Sequence, residues 1–223
     1  MTISIVAKMN NGLILISDSR NGMIEPSSSQ EQLFSLTKYC GVVSSSEERL
    51  STQLINQFRK ELEKHKIEFL SEEMIDLAQN IFFQGYNHWL GDRDPDFFPC
   101  YYVIAGKSDK EELGAYFFSS PDFTPVFQLT GPSGICAIGG DEEFRQLVIN
   151  NTILLLGQLS KNCNMEIRDM SNQQVAMMIA FAIDTIVKSQ MNLAEGGNVQ
   201  VAVVEENGFY LFPYTIENRT GKH

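Results

Sequence analysis

The order of patterned segments along the chain predicts an α+β fold: two stacked antiparallel sheets with helices on their outer faces. Three observations predict it. Short β-rich runs joined by tight turns open and close the sequence. Two separate blocks repeat apolar residues at helical spacing. No internal repeat or linker divides the 223 residues, so a single domain over residues 1–223 is expected. A chain of that size buries roughly 70% of the surface it exposes when unfolded.

Each element has a local reason. Thr2 to Lys8 and Leu13 to Ser17 flank Asn10-Asn11-Gly12, and Asn and Gly tolerate the positive φ of a hairpin turn. Asn21 to Gln32, rich in Ser, Gly and Pro, reads as loop. Gln32 to Leu36 and Lys38 to Ser44 read as strands. Leu50, Leu54, Ile55, Phe58 and Leu62 then recur at helical spacing, predicting a helix over Glu47 to Lys66. Ser71 with Glu72 and Glu73 starts a second helix, because a hydroxyl caps free amides and acids suit the positive end. Its apolar face takes Met74, Leu77, Ile81, Phe82 and Trp89.

Between Gly91 and Pro99, Asp92-x-Asp94-x-Asp96 has the spacing of a calcium loop. Phe97 stands where such a loop needs Gly, and Val103 where it needs a bidentate Glu, so a solvated acidic turn is expected. Strands resume at Cys100 to Ala105, Gly114 to Phe118, Val126 to Leu129 and Ile135 to Ile138. Gly139-Gly140-Asp141 opens a helix with Phe144, Leu147, Val148, Ile153 and Leu154. Ser171-x-x-Gln174 is a capping box ahead of the very apolar helix Val175 to Val187. Asn207-Gly208 turns the last hairpin, Val199 to Val204 and Phe209 to Pro213.

Composition excludes several roles. Formal net charge is −11 with no basic block, so no nucleic-acid partner is expected. No apolar run reaches the ~20 residues of a membrane helix, and no basic-then-apolar leader opens the sequence. Cys40, Cys100, Cys136 and Cys163 are widely spaced. No disulfide framework, metal site or cofactor is expected, and a reducing cytoplasm is the simplest compartment. His65, His88 and His223 form no triad pattern.

The chemistry points to the N-terminus. With Met1 removed, Thr2 carries a hydroxyl beside a free α-amine of pKa about 8. A threonine activated by its own amine is a recognised nucleophile. The wider pattern resembles the proteasome β-type and bacterial proteasome-like N-terminal nucleophile hydrolases. It comprises Thr2-x-x-x-x-x-Lys8, the Gly12 turn, Asp18-Ser19-Arg20, Gln32-Leu33-Phe34-Ser35-Leu36, Ala137-Ile138-Gly139-Gly140, and Asn192-Leu193-Ala194-Glu195-Gly196-Gly197 before Val199-Gln200-Val201. The resemblance implies the four-layer αββα sandwich of that family. It also implies an N-terminal threonine peptidase acting on peptide or protein substrate within a homo-oligomeric ring.

By that resemblance Thr2 is the nucleophile, Asp18 the first aspartate, and Ser46 the residue whose backbone N–H holds the oxyanion. Ser19 and Arg20 are read as substrate-binding, with a surface ion pair an equal reading for Arg20. The family lysine is replaced by Gln32, the serine of the Gly-Ser-Gly-Ser turn by Gly140, and the aspartate and serine before Gly-Gly by Asn192 and Glu195. A neutral Gln32 cannot lower the proton affinity of the amine as a cation does. Glu195 adds negative charge that raises it, leaving less free base at neutral pH. Weakened peptidase activity is therefore expected. A non-catalytic subunit that keeps the fold is the alternative, and an amidohydrolase for small amides a second one.

Overall fold

The computed structural model describes residues 3–9, 11–18, 32–128, 134–163, 166–191 and 199–212. Among them lie two five-stranded sheets, antiparallel throughout, and four α-helices. In chain order these are β1 (Ile3–Met9), β2 (Gly12–Asp18), β3 (Leu33–Ser35), β4 (Cys40–Ser45), α1 (Glu48–His65), α2 (Glu72–Leu90), β5 (Tyr101–Lys107), β6 (Leu113–Ser119), β7 (Val126–Gln128), β8 (Ile135–Ile138), α3 (Glu142–Cys163), α4 (Asn172–Met191), β9 (Val199–Glu205) and β10 (Gly208–Phe212). One sheet runs β10-β9-β2-β1-β8 and the other β3-β4-β5-β6-β7.

Strand alternation sorts the side chains into three cores. In β1 and β2, Ile3, Ile5, Ala7, Ile14 and Ile16 pack with Val148 of α3 and Ile179 and Ile183 of α4. The alternate residues Val6, Leu13 and Leu15 meet Leu33, Val43, Val103 and Ala105 of the other sheet. On the far side of that sheet, Val42, Tyr102 and Ile104 pack under Leu54 and Phe58 of α1 and Phe82 and Tyr86 of α2. The layers thus run helix, sheet, sheet, helix. β1 and β2 are apolar on both faces because both faces are covered.

Helix ends follow the sequence signals. Glu47 caps α1, its carboxylate accepting from the Leu50 N–H at 2.8 Å. Lys66 closes the helix in the left-handed region, φ 56°. Ser71 accepts from the Met74 N–H at 3.2 Å. The capping box forms reciprocally: Ser171 Oγ accepts from Gln174 N at 3.2 Å, and Gln174 Oε1 accepts from Ser171 N at 3.0 Å. The acidic turn has a structural cause, since Asp94 accepts from the Asp96 N–H at 3.0 Å and caps a short 3-10 turn, Pro95–Phe97.

One expectation needs correction. The first turn is shorter than read, because Gly12 already pairs with Met9 as the first residue of β2. The aromatic residues of α1, α2 and their connection divide between core and surface. Phe58, Phe82 and Tyr86 are buried together with Trp89 against them, Phe69 stacks on Tyr39 at 4.5 Å outside that cluster, and Phe83 is exposed. Phe82 alone meets Phe58, Tyr102, Phe118 and Phe123.

The gap between the sheets is closed at one end. There the Phe209 ring occupies the space above Gly41, where a Cβ would lie 2.1 Å from its edge. Phe209 N donates to Lys38 O at 2.7 Å, and Lys107 Nζ donates to Glu206 O at 2.8 Å. The other end, where β1 starts and β2, β4 and β8 finish, holds the candidate site.

Candidate functional site

At this end β2 finishes with Asp18, paired with Ile3 of β1 and Val199 of β9, and only 1% exposed. One residue inward, Ser4 and Ser17 face each other across the same two strands. Both are fully buried, and Ser4 Oγ donates to Ser17 Oγ at 2.8 Å. Burying hydroxyls is tolerable only because they bond each other.

Gln32 is the neighbouring polar group from the second sheet. It is completely buried. Its Oε1 accepts from Ser44 Oγ at 2.6 Å, and its carbonyl accepts from Ser44 N at 2.8 Å. Its Nε2 is buried without a hydrogen-bond partner among the described residues. An orphaned buried donor costs about 1–3 kcal/mol, so this amide is a polar group left over at the site. The bond to Ser44 keeps the side chain on β4, and as a neutral amide it supplies no positive charge.

Gln200 joins the two sheets here. It lies opposite Ser17 in the β2–β9 ladder. Its Oε1 accepts from the backbone N–H of both Gln32 and Leu33, at 2.9 and 3.2 Å. The sequence carried a signal for it, a lone amide inside the apolar run Val199–Val204. That signal was read only as part of a strand.

Ser46 follows β4 directly and precedes the cap of α1. Its hydroxyl contacts Ser51 Oγ and lies 3.3 Å from Tyr102 OH. Below it, burial pushes the Cys100 thiol up to about 12, against a bond from Ser46 that lowers it. Burial likewise raises the Tyr102 phenol. Both groups stay protonated at neutral pH, so neither serves as nucleophile or base. Burial likewise raises the Cys136 thiol to about 11, with Arg145 opposing.

Gly140 ends the turn after β8. Gly139 and Gly140 have φ of 89° and 61°, a conformation side chains disfavour. Arg145 Nη1 donates to Gly140 O at 3.0 Å and fixes the turn, while Asp141 Oδ1 caps α3 at Phe144 N, 2.8 Å away.

Between these turns a cavity of about 400 Å³ opens. Ser46 and Glu47 line it together with Trp89, Phe98, Tyr101 and Gly140. The structure therefore brings Asp18, Gln32 and Ser46 to the same end of the sheet gap. Thr2, Ser19, Arg20, Asn192 and Glu195 lie outside the described residues. The aromatic cavity was not read from the sequence, because Trp89, Phe98 and Tyr101 belong to three successive segments whose meeting depends on the tertiary fold.

No known protein-family model matches the chain, and no curated protein matches it. Among the described residues, no helix is long and apolar enough to cross a membrane, and no three His, Cys, Asp or Glu side chains gather as for a metal ion.

Proposed function

We propose that this chain is a proteasome-like N-terminal nucleophile hydrolase subunit that cleaves peptide amides slowly. Thr2, freed by removal of Met1, attacks the amide carbonyl, its own amine taking the proton. The Ser46 backbone N–H stabilises the oxyanion. Gln32 occupies the lysine position and offers a neutral N–H instead of a cation. The reading includes a cytoplasmic, closed homo-oligomeric ring and the αββα sandwich of that hydrolase class.

One observation carries it: the convergence of Asp18, the buried Gln32 with an amide that has no partner among the described residues, and Ser46 at one end of the two-sheet gap. The helix–sheet–sheet–helix order supports the same class. A second reading, a non-catalytic subunit, is favoured by the Gln32–Ser44 bond, which holds the only buried side chain in the lysine position as a neutral group.

Intact mass followed by release of fluorophore from peptide amides tests this. Met1 should be absent and turnover measurable but slow. Thr2→Ala should abolish it, and Gln32→Lys should raise it by about 100-fold, the low end of what acid–base assistance contributes. Turnover that survives Thr2→Ala would rule out the nucleophile. No turnover by either wild type or Gln32→Lys, with Met1 absent, would select the non-catalytic reading.

A further inference from the structure

The cavity between Ser46 and Gly140 has a composition that specifies its occupant. At about 400 Å³ it is in the range of small-ligand sites. Trp89, Phe98, Pro99 and Tyr101 make its walls largely apolar. The one carboxylate among its described lining residues, Glu47, caps the Leu50 N–H at 2.8 Å at the positive end of α1. A cation stands nearby: the Arg93 guanidinium lies 4.3 Å from the Trp89 ring centroid and donates to Trp89 O at 2.6 Å. That pair fixes the tryptophan that forms part of the apolar lining. The cavity is also built from both turns that flank the site, Ser45–Glu47 on one sheet and Gly140 on the other. A peptide held at Ser46 therefore reaches it with a neighbouring side chain.

We propose that this cavity receives an apolar side chain of leucine to phenylalanine size, adjacent to the amide presented to Ser46. The assignment rests on the hydrolase reading for the word substrate, but the pocket's preference is measurable without any turnover. Trp89 is the single tryptophan of the chain, so its fluorescence reports occupancy directly. N-acetyl-leucinamide, N-acetyl-phenylalaninamide, N-acetyl-glycinamide and N-acetyl-lysinamide are titrated into the Thr2→Ala protein. The leucine and phenylalanine amides should give saturable shifts at about 10- to 100-fold lower concentration than the glycine amide, the effect of burying one such side chain. The lysine amide should bind no better than glycine. Ser45→Phe, which fills the cavity from its rim, should weaken the leucine amide at least about tenfold, with circular dichroism verifying the fold. Equal responses to leucine and glycine amides, or a Ser45→Phe titration matching the parent, would overturn the pocket. Leucine-selective binding by a protein that never hydrolyses any amide would uphold it and sink the hydrolase reading alone.

Discussion

The two helical layers do different jobs. Beneath α1 and α2 the core is aromatic, with Phe58, Phe82, Tyr86, Tyr102, Phe118 and Phe123 buried in one cluster. Beneath α3 and α4 it is aliphatic, built on Ile, Val and Ala. Their outer faces also differ. α1 and α2 present Thr52, Gln53, Asn56, Lys60, Asp76, Asn80 and Gln84, with Phe83 the exception. α3 and α4 expose Leu154 at 61%, Phe181 at 56%, and Ile153 and Met177 beside them. The aromatic pair leaves Phe83 as its large exposed apolar side chain, whereas the aliphatic pair leaves four among the described residues. The difference teaches that two helix pairs covering equally buried cores can leave unequal apolar surface outside, and exposed apolar patches are the surfaces that contacts tend to cover.

The largest expected effect is at the centre of the aromatic cluster. Phe82→Ala should cost about 4 kcal/mol in urea unfolding, because four rings lose their shared neighbour. Ile179→Val in the aliphatic layer should cost about 1 kcal/mol. Equal losses would erase the contrast between the layers.

Next comes the polar join between the sheets. Gln200→Ala leaves the Gln32 and Leu33 N–H groups without their acceptor and should cost about 2 kcal/mol. It should also raise amide hydrogen exchange at those two residues more than at Cys40 or Gly41. Unchanged exchange would mean that the Gln200 carbonyl is not what holds β3 to β9.

The smallest effect on stability is expected on the exposed face. Phe181→Lys should change unfolding free energy by no more than about 0.5 kcal/mol, yet reduce the mass seen by light scattering if α3 and α4 carry the proposed assembly. A 25.1 kDa particle for the unmodified protein would refute that assembly outright.

How much of this was legible beforehand depends on the range of the interaction. Leu50, Leu54, Ile55, Phe58 and Leu62 placed α1 because a helix repeats within a few residues. Ser71 and Ser171 marked helix starts because capping is local. Asp18, Gln32 and Ser46 were singled out, and the fold puts them at one end of the gap. Gln200 was passed over because its partners are 168 and 167 residues away. Phe82 was assigned to a face correctly, but no periodicity reveals that Tyr102, Phe118 and Phe123 meet it there. Gly140 was noted as a departure from serine; its positive φ belongs to the tertiary turn.

Contacts toward both ends of the sheet gap constrain motion. Phe209 seats on Gly41 at one point, and Gln200 grips Gln32 and Leu33 at another. Those anchors sit four residues apart along β9 and its partner β10, since Phe209 pairs with Val204, a span of about 13 Å. Two separated anchors resist shear as well as parting, so the sheets cannot slide to admit a ligand. The turns beside the cavity are tied down as well: Gly140 O accepts from Arg145 and Cys100 N donates to Ser120 Oγ, so the described frame around the cavity is preformed and not assembled by the molecule it receives.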